Sequence, residues 1–82
     1  MLAADPSTPQ RAAAAVVKRS LSIAGHRTSI SLEDAFWDGL RHIAEERKLS
    51  VAALVAEIDA TRGPNNLSSA IRVFVLKALA QI

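Results

Sequence analysis

The hydrophobic period of this chain changes near Leu32, and that change limits the folds open to it. Before it, Ser20-Leu21-Ser22-Ile23 and Thr28-Ser29-Ile30-Ser31-Leu32 alternate polar and apolar residues, the period of a half-buried strand. After it, Leu32, Phe36, Leu40, Ile43 and Ala44 recur at helical spacing, with Asp34, Asp38, Arg41 and Glu45 on the other side. That is the stripe of an amphipathic helix.

The alternation also reverses phase between the two short runs, because Leu21 and Ile23 are odd-numbered whereas Ile30 and Leu32 are even-numbered. One continuous strand could bury both sets only through a bulge, which Gly25 could supply. Alternatively Ala24-Gly25-His26-Arg27 forms a hairpin loop that sets Ile23 opposite Thr28 and Leu21 opposite Ile30, with Ser22 and Ser20 opposite Ser29 and Ser31. The alternation is compatible with both arrangements.

Further along, Ser31 followed by Glu33 and Asp34 is a helix start signal, and the first helix should end near Arg47 or Lys48. Ser50 offers a fresh N-cap, after which Val51, Leu54, Val55 and Ile58 make the inner stripe of a second helix. Gly63-Pro64-Asn65-Asn66 is a breaker, with Asn66 able to cap a third helix. Residues 67–81 are apolar nearly all round, so this third helix is expected to cross a dimer or cap its core. Within the first helix, Phe36 is expected to enter the core and Trp37 to meet the third helix or a partner subunit. Residues 1–17 read as a disordered or frayed N-terminal arm, and residues 18–82 as the folded domain.

Composition says how such a fold could be held together. The chain has 82 residues, half of them hydrophobic, and no cysteine. Domains this small often need disulfides, metals or oligomerisation. Disulfides are excluded, and the two histidines, His26 and His42, have no cysteine to form a structural zinc site with. Although His42, Glu45 and Glu46 share a helix face, no second histidine joins them, and a solvated face is the simpler reading. No metal or other cofactor is expected, and self-association, as a dimer or a higher oligomer, is the remaining prop.

Charge is unevenly placed. Arg11, Lys18, Arg19 and Arg27 outnumber Asp5 in the N-terminal part, residues 32–59 are acidic, and Arg62, Arg72 and Lys77 follow without any acid. An anionic partner would be met mainly by the N-terminal third. No apolar run is long enough to span a bilayer, and the opening residues lack the pattern of a secretory leader. A cytoplasmic location with no membrane partner is therefore expected. With no nucleophile, base and acid placed together and no glycine-rich phosphate loop, an enzyme is not expected.

A short alternating strand followed directly by two amphipathic helices resembles the ribbon-helix-helix superfamily of the Arc/MetJ type. The most telling stretch is Ala44-Glu45-Glu46-Arg47-Lys48-Leu49-Ser50-Val51, which looks like that superfamily's junction between its two helices. More specifically, Gly25-His26-Arg27-Thr28-Ser29-Ile30-Ser31-Leu32-Glu33, Phe36-Trp37 and Asn66-Leu67-Ser68-Ser69-Ala70-Ile71-Arg72-Val73-Phe74 are similar to short, uncharacterised bacterial ribbon-helix-helix proteins.

The resemblance implies a mainly α fold with a short β-ribbon: a homodimer with intersubunit antiparallel strands and an extra C-terminal helix. It implies a ribbon that enters the DNA major groove, with Arg27, Ser29 and Ser31 contacting base edges. Lys18, Arg19, His26, Ser50 and Val51 would contact phosphate, the last two through helix N-terminal amides. Ile30, Leu32, Phe36, Leu40, Ile43, Leu54, Val55, Ile58 and Phe74 would fill the dimer core. The implied function is a DNA-binding transcription regulator. The alternative is an adaptor or antitoxin-like interaction module without intrinsic DNA binding, using the C-terminal helix or the N-terminal arm. A second strand before the ribbon strand departs from the superfamily's usual pattern and would make the sheet wider than the two strands that the major groove admits, so a narrow basic ribbon would support DNA engagement and a broad serine-faced sheet would count against it.

Overall fold

The computed structural model describes residues 15–80 of the chain. Strand β1 (Val16–Ile23) and strand β2 (His26–Glu33) form an antiparallel hairpin, followed by helices α1 (Asp34–Arg47), α2 (Val51–Thr61) and α3 (Leu67–Ala80). Most of the expected N-terminal arm lies outside the described residues, as does the expected helix end at Gln81. Val16 and Val17, assigned to that arm by sequence, belong instead to β1.

The hairpin closes through two residues, Ala24 and Gly25, rather than the four expected. Ile23 pairs with His26, Leu21 with Thr28, Arg19 with Ile30 and Val17 with Leu32. Ala24 and Gly25 have φ of 52° and 85°, the two positive values of a type I′ turn, whose twist matches that of the flanking strands. This turn shifts the register by two residues from the expected one, which preserves the facing of every side chain because strands have period two. Val17, Leu21, Ile23, Thr28, Ile30 and Leu32 thus share the face that packs on the helices.

The ladder's parity also decides where backbone groups point. Asp34 N–H donates to Ala15 C=O at 3.0 Å, continuing the series in which the odd-numbered β1 residues exchange hydrogen bonds with even-numbered residues of β2. The N–H and C=O groups of Arg27, Ser29 and Ser31 therefore point away from β1, along the open edge of β2. The sequence expectation paired this strand across subunits. Here its hairpin partner is β1 of the same chain, and only the opposite edge of β2 is left for a second strand.

Leu32 lies in β2 rather than in the first helix, which starts at Asp34 after Glu33 as N-cap. Helix α1 ends where Lys48 turns left-handed at φ 60°. Lys48 N–H donates to Glu45 C=O at 3.1 Å and Leu49 N–H to Ala44 C=O at 2.8 Å, the hydrogen-bond pair of a Schellman stop. Ser50 then caps α2, its Oγ accepting from Ala53 N–H at 3.0 Å. Asn66 caps α3 in the same manner, its Oδ1 accepting from Ser69 N–H at 2.7 Å.

The core closes inside one chain. Ile30, Leu32, Leu40, Ile43, Leu54, Val55 and Ile58, expected to be buried between subunits, are buried together with Ile23, Trp37, Ala44, Ile71 and Val75. Phe36 and Phe74, the other two expected core residues, are only half-buried. Of the two adjacent aromatics Trp37 is the more deeply buried, 2% exposed, with its Nε1–H donating to Val17 C=O at 2.9 Å, while Phe36 packs against the core from its margin. An indole needs a partner when buried, and β1, absent from a two-stranded ribbon, supplies it. Helix α3 comes close to α1 at Gly39, where a Cβ would meet Val75 Cγ1 at 2.7 Å.

Ala24 and Lys48 carry side chains in left-handed conformations that cost an L-residue roughly 1–2 kcal/mol. Ala24→Asn and Lys48→Gly are each expected to stabilise the fold by about 1 kcal/mol, read as a higher urea midpoint at unchanged slope.

Candidate nucleic-acid interface

On the face of the hairpin turned away from the helices, the register builds a small polar grid. Ser22 stands opposite Arg27, Ser20 opposite Ser29 and Lys18 opposite Ser31. These are the pairs that exchange no backbone hydrogen bonds, where facing side chains approach most closely, and the hydroxyls of Ser20 and Ser29 lie 3.5 Å apart. The two cations occupy diagonally opposite corners, with only short hydroxyl side chains between them. Lys18, Ser20, Ser22, Arg27 and Ser29 are exposed and Ser31 is half-buried.

The expected base-contacting residues Arg27, Ser29 and Ser31 are therefore together on one strand and one face. The expected phosphate contacts are divided. Lys18 joins the grid, but Arg19 lies on the opposite face, its guanidinium 5.4 Å from the centre of the Trp37 ring. His26 is exposed at the turn end of β2 and also falls outside the grid by parity. At the start of α2, Ser50 Oγ is occupied by Ala53 N–H, while the amides of Val51 and Ala52 have no partner within the helix. His42 and Glu46 sit in solvent on α1, Nε2 3.3 Å from Oε2. Among the described residues there is no group of three or more potential metal ligands.

Two features of the site were not assigned from sequence. Ser20 and Ser22 complete the grid, and their alternation with Leu21 and Ile23 was the available signal. The other is an ion pair at the end of the grid, where Arg72 of α3 donates from Nε to Glu33 Oε1 at 2.8 Å and from Nη2 to Ser31 C=O at 3.5 Å. No local pattern could reveal a contact between residues so far apart in the chain. The hydrogen bond from Arg72 holds the Glu33 carboxyl below its ordinary value of 4.5.

Comparison with known proteins agrees with this geometry. The model of a ribbon-helix-helix domain matches residues 16–79, and the chain belongs to that family. A solved structure of an uncharacterized protein from Bordetella pertussis Tohama I is similar, at 32% identity and a TM-score of 0.72. The match covers 89% of this chain and 62% of that one, so this chain spans less than two thirds of that protein's length. No curated protein matches the sequence. Among the described residues, no helix is long and apolar enough to cross a membrane.

Because the folded-state value of Glu33 is depressed, the ion pair contributes stability that is complete above the ordinary value of 4.5 and is lost as pH falls through the depressed one. Carboxyl chemical shifts followed by NMR are expected to place Glu33 below 4.5 in the wild type. In Arg72→Gln the midpoint should return towards the ordinary value.

Proposed function

We propose that this chain acts in the cytoplasm as a homodimeric, non-enzymatic DNA-binding protein, a transcription regulator. The observation that carries the reading is the coincidence, on β2, of the grid side chains Arg27, Ser29 and Ser31 with an open backbone edge at the same residues. Pairing that edge antiparallel with its copy satisfies backbone groups that otherwise have no strand partner. It also places two sets of Arg27, Ser29 and Ser31 side by side across a two-fold axis.

The hairpin makes the sheet of such a dimer four strands wide. With strands about 4.8 Å apart, the axes of its outermost strands lie roughly 14 Å from each other, against a major groove about 12 Å wide. The sheet is thus wider than the two strands the groove admits: the two central β2 strands lie over the groove, the two β1 strands rest at its phosphate rims, and Arg27 is the side chain of the β2 set long enough to reach down to a base. Arg27, Ser29 and Ser31 then face base edges, while Lys18 and Ser20 face the phosphates on either side. Short serines let the sheet approach closely. The free amides at the start of α2, with Ser50 and Val51, bind phosphate as helix N-termini do. Much of the affinity in this arrangement comes from the backbone, with Arg27 as the residue best able to discriminate a base.

A specific observation favours the second reading, an adaptor or antitoxin-like interaction module. An open groove of about 480 Å³ lies between the end of α2 and α3, with Ile58, Val73 and Phe74 among its lining and Arg62 and Lys77 at its side. An acidic, partly apolar segment of another protein would suit it.

Binding of the full chain to genomic DNA fragments, followed by fluorescence anisotropy at two salt concentrations, tests the first reading. Affinity is expected to fall steeply with salt. Arg27→Ala should weaken a preferred site by about 1–3 kcal/mol, whereas Lys18→Ala should weaken all sequences alike and reduce the salt slope. Absence of DNA binding at low salt by the folded protein would discard this reading in favour of the second.

A further inference from the structure

Helix α3 carries an apolar stripe that its own chain does not cover: Val73 is 51% exposed, Leu76 65% and Leu79 52%. We propose that this stripe seats on a second copy of the chain and supplies the apolar part of the dimer contact. The inference rests on the dimer proposed above and adds to it a surface outside the strand edge.

The strand edge alone offers too little apolar surface to hold two copies together. On the helix side of the sheet, Ile30 is 1% and Leu32 0% exposed within a single chain, so pairing β2 with its copy buries almost no further apolar side chain there. On the other side the sheet presents serines and cations, with Val16 and the ion-paired Glu33 at its far end. A stable dimer needs on the order of 1,200–2,000 Å² of buried surface, with an apolar centre. A few edge hydrogen bonds between residues 27 and 31 do not meet that need. Large apolar side chains exposed elsewhere on the same chain can.

The stripe lies in the right place. Successive residues of a helix are about 100° apart, so Leu76 and Leu79 fall within about 40° of Arg72. Arg72 is the residue that reaches past the helix to Glu33 and to the outward-pointing carbonyl of Ser31. Leu76 and Leu79 therefore lie on the flank of α3 that carries Arg72 to the end of the open β2 edge, with Leu79 alongside Gly39 of α1, and a second copy paired along that edge can bring its body against this flank. Val73 extends the stripe towards the groove beside Phe74.

Sedimentation equilibrium of the full chain tests this, with folding checked by circular dichroism. Two variants separate the surfaces. Leu76→Glu, with Leu76→Ser as a milder change should the first unfold, alters only the most exposed residue of the stripe. Ser29→Pro removes an N–H that points away from β1 and so blocks the edge without breaking the hairpin ladder. The wild type is expected to be a dimer at micromolar concentration, and the Leu76 variants should raise its dissociation constant at least about tenfold with unchanged helix content. A wild-type dimer that Ser29→Pro disrupts but neither Leu76 variant weakens overturns the inference and leaves the strand-paired dimer standing. A wild type that stays monomeric throughout overturns both.

Discussion

The two-residue turn at Ala24 and Gly25 fixes nearly everything else in this molecule. It pairs Ile23 with His26, and from that pair the antiparallel ladder settles two alternations. Side chains alternate between the helix face and the outer face, while backbone groups alternate between the partner strand and the open edge. The apolar residues of both strands consequently face the helices, the serines face outward, and the unpaired amides of β2 belong to the residues of the polar grid. Adding or removing one residue in the turn would turn one strand's apolar side chains to water.

Adding β1 changes what the core has to be. A two-stranded ribbon shared between subunits would leave each chain's helices incompletely covered, which is why the ribbon resemblance led to an intersubunit core. Here β1 and α3 cover the two flanks of that core within one chain. Val17 receives the Trp37 indole N–H, which draws the indole into the interior and leaves the neighbouring Phe36 half-exposed. Arg19 lies over the Trp37 ring and shields the indole from solvent. A residue that sequence would send to phosphate is thus engaged in covering the core.

Helix α3 ties these parts together at two points. Gly39 on α1 allows it to approach closely enough for Val75 to be buried, and Arg72 fastens it to the end of β2 through Glu33. The helix is too apolar to have only one covered face. Its buried stripe through Ile71 and Val75 closes the chain's own core, and its exposed stripe through Val73, Leu76 and Leu79 is left uncovered by the chain. Folding and the proposed association therefore draw on different faces of the same helix.

Much of the architecture was legible in the sequence because it rests on local physics. The alternation through Leu21, Ile23, Ile30 and Leu32 dictated which strand residues face the core, Ser50 and Asn66 marked helix starts, and Gly63-Pro64 separated the last two helices. The outward set Arg27, Ser29 and Ser31 follows from the same alternation. What the sequence left open was the choice between bulge and hairpin, since either reconciles the phase reversal at Gly25. That choice, the two-residue register, the deeper burial of Trp37 than of Phe36, the diversion of Arg19 to the indole and the Arg72–Glu33 ion pair were decided only by the tertiary structure. Each depends on which distant segment comes to cover a given surface, and periodicity records that a face must be covered without recording by what.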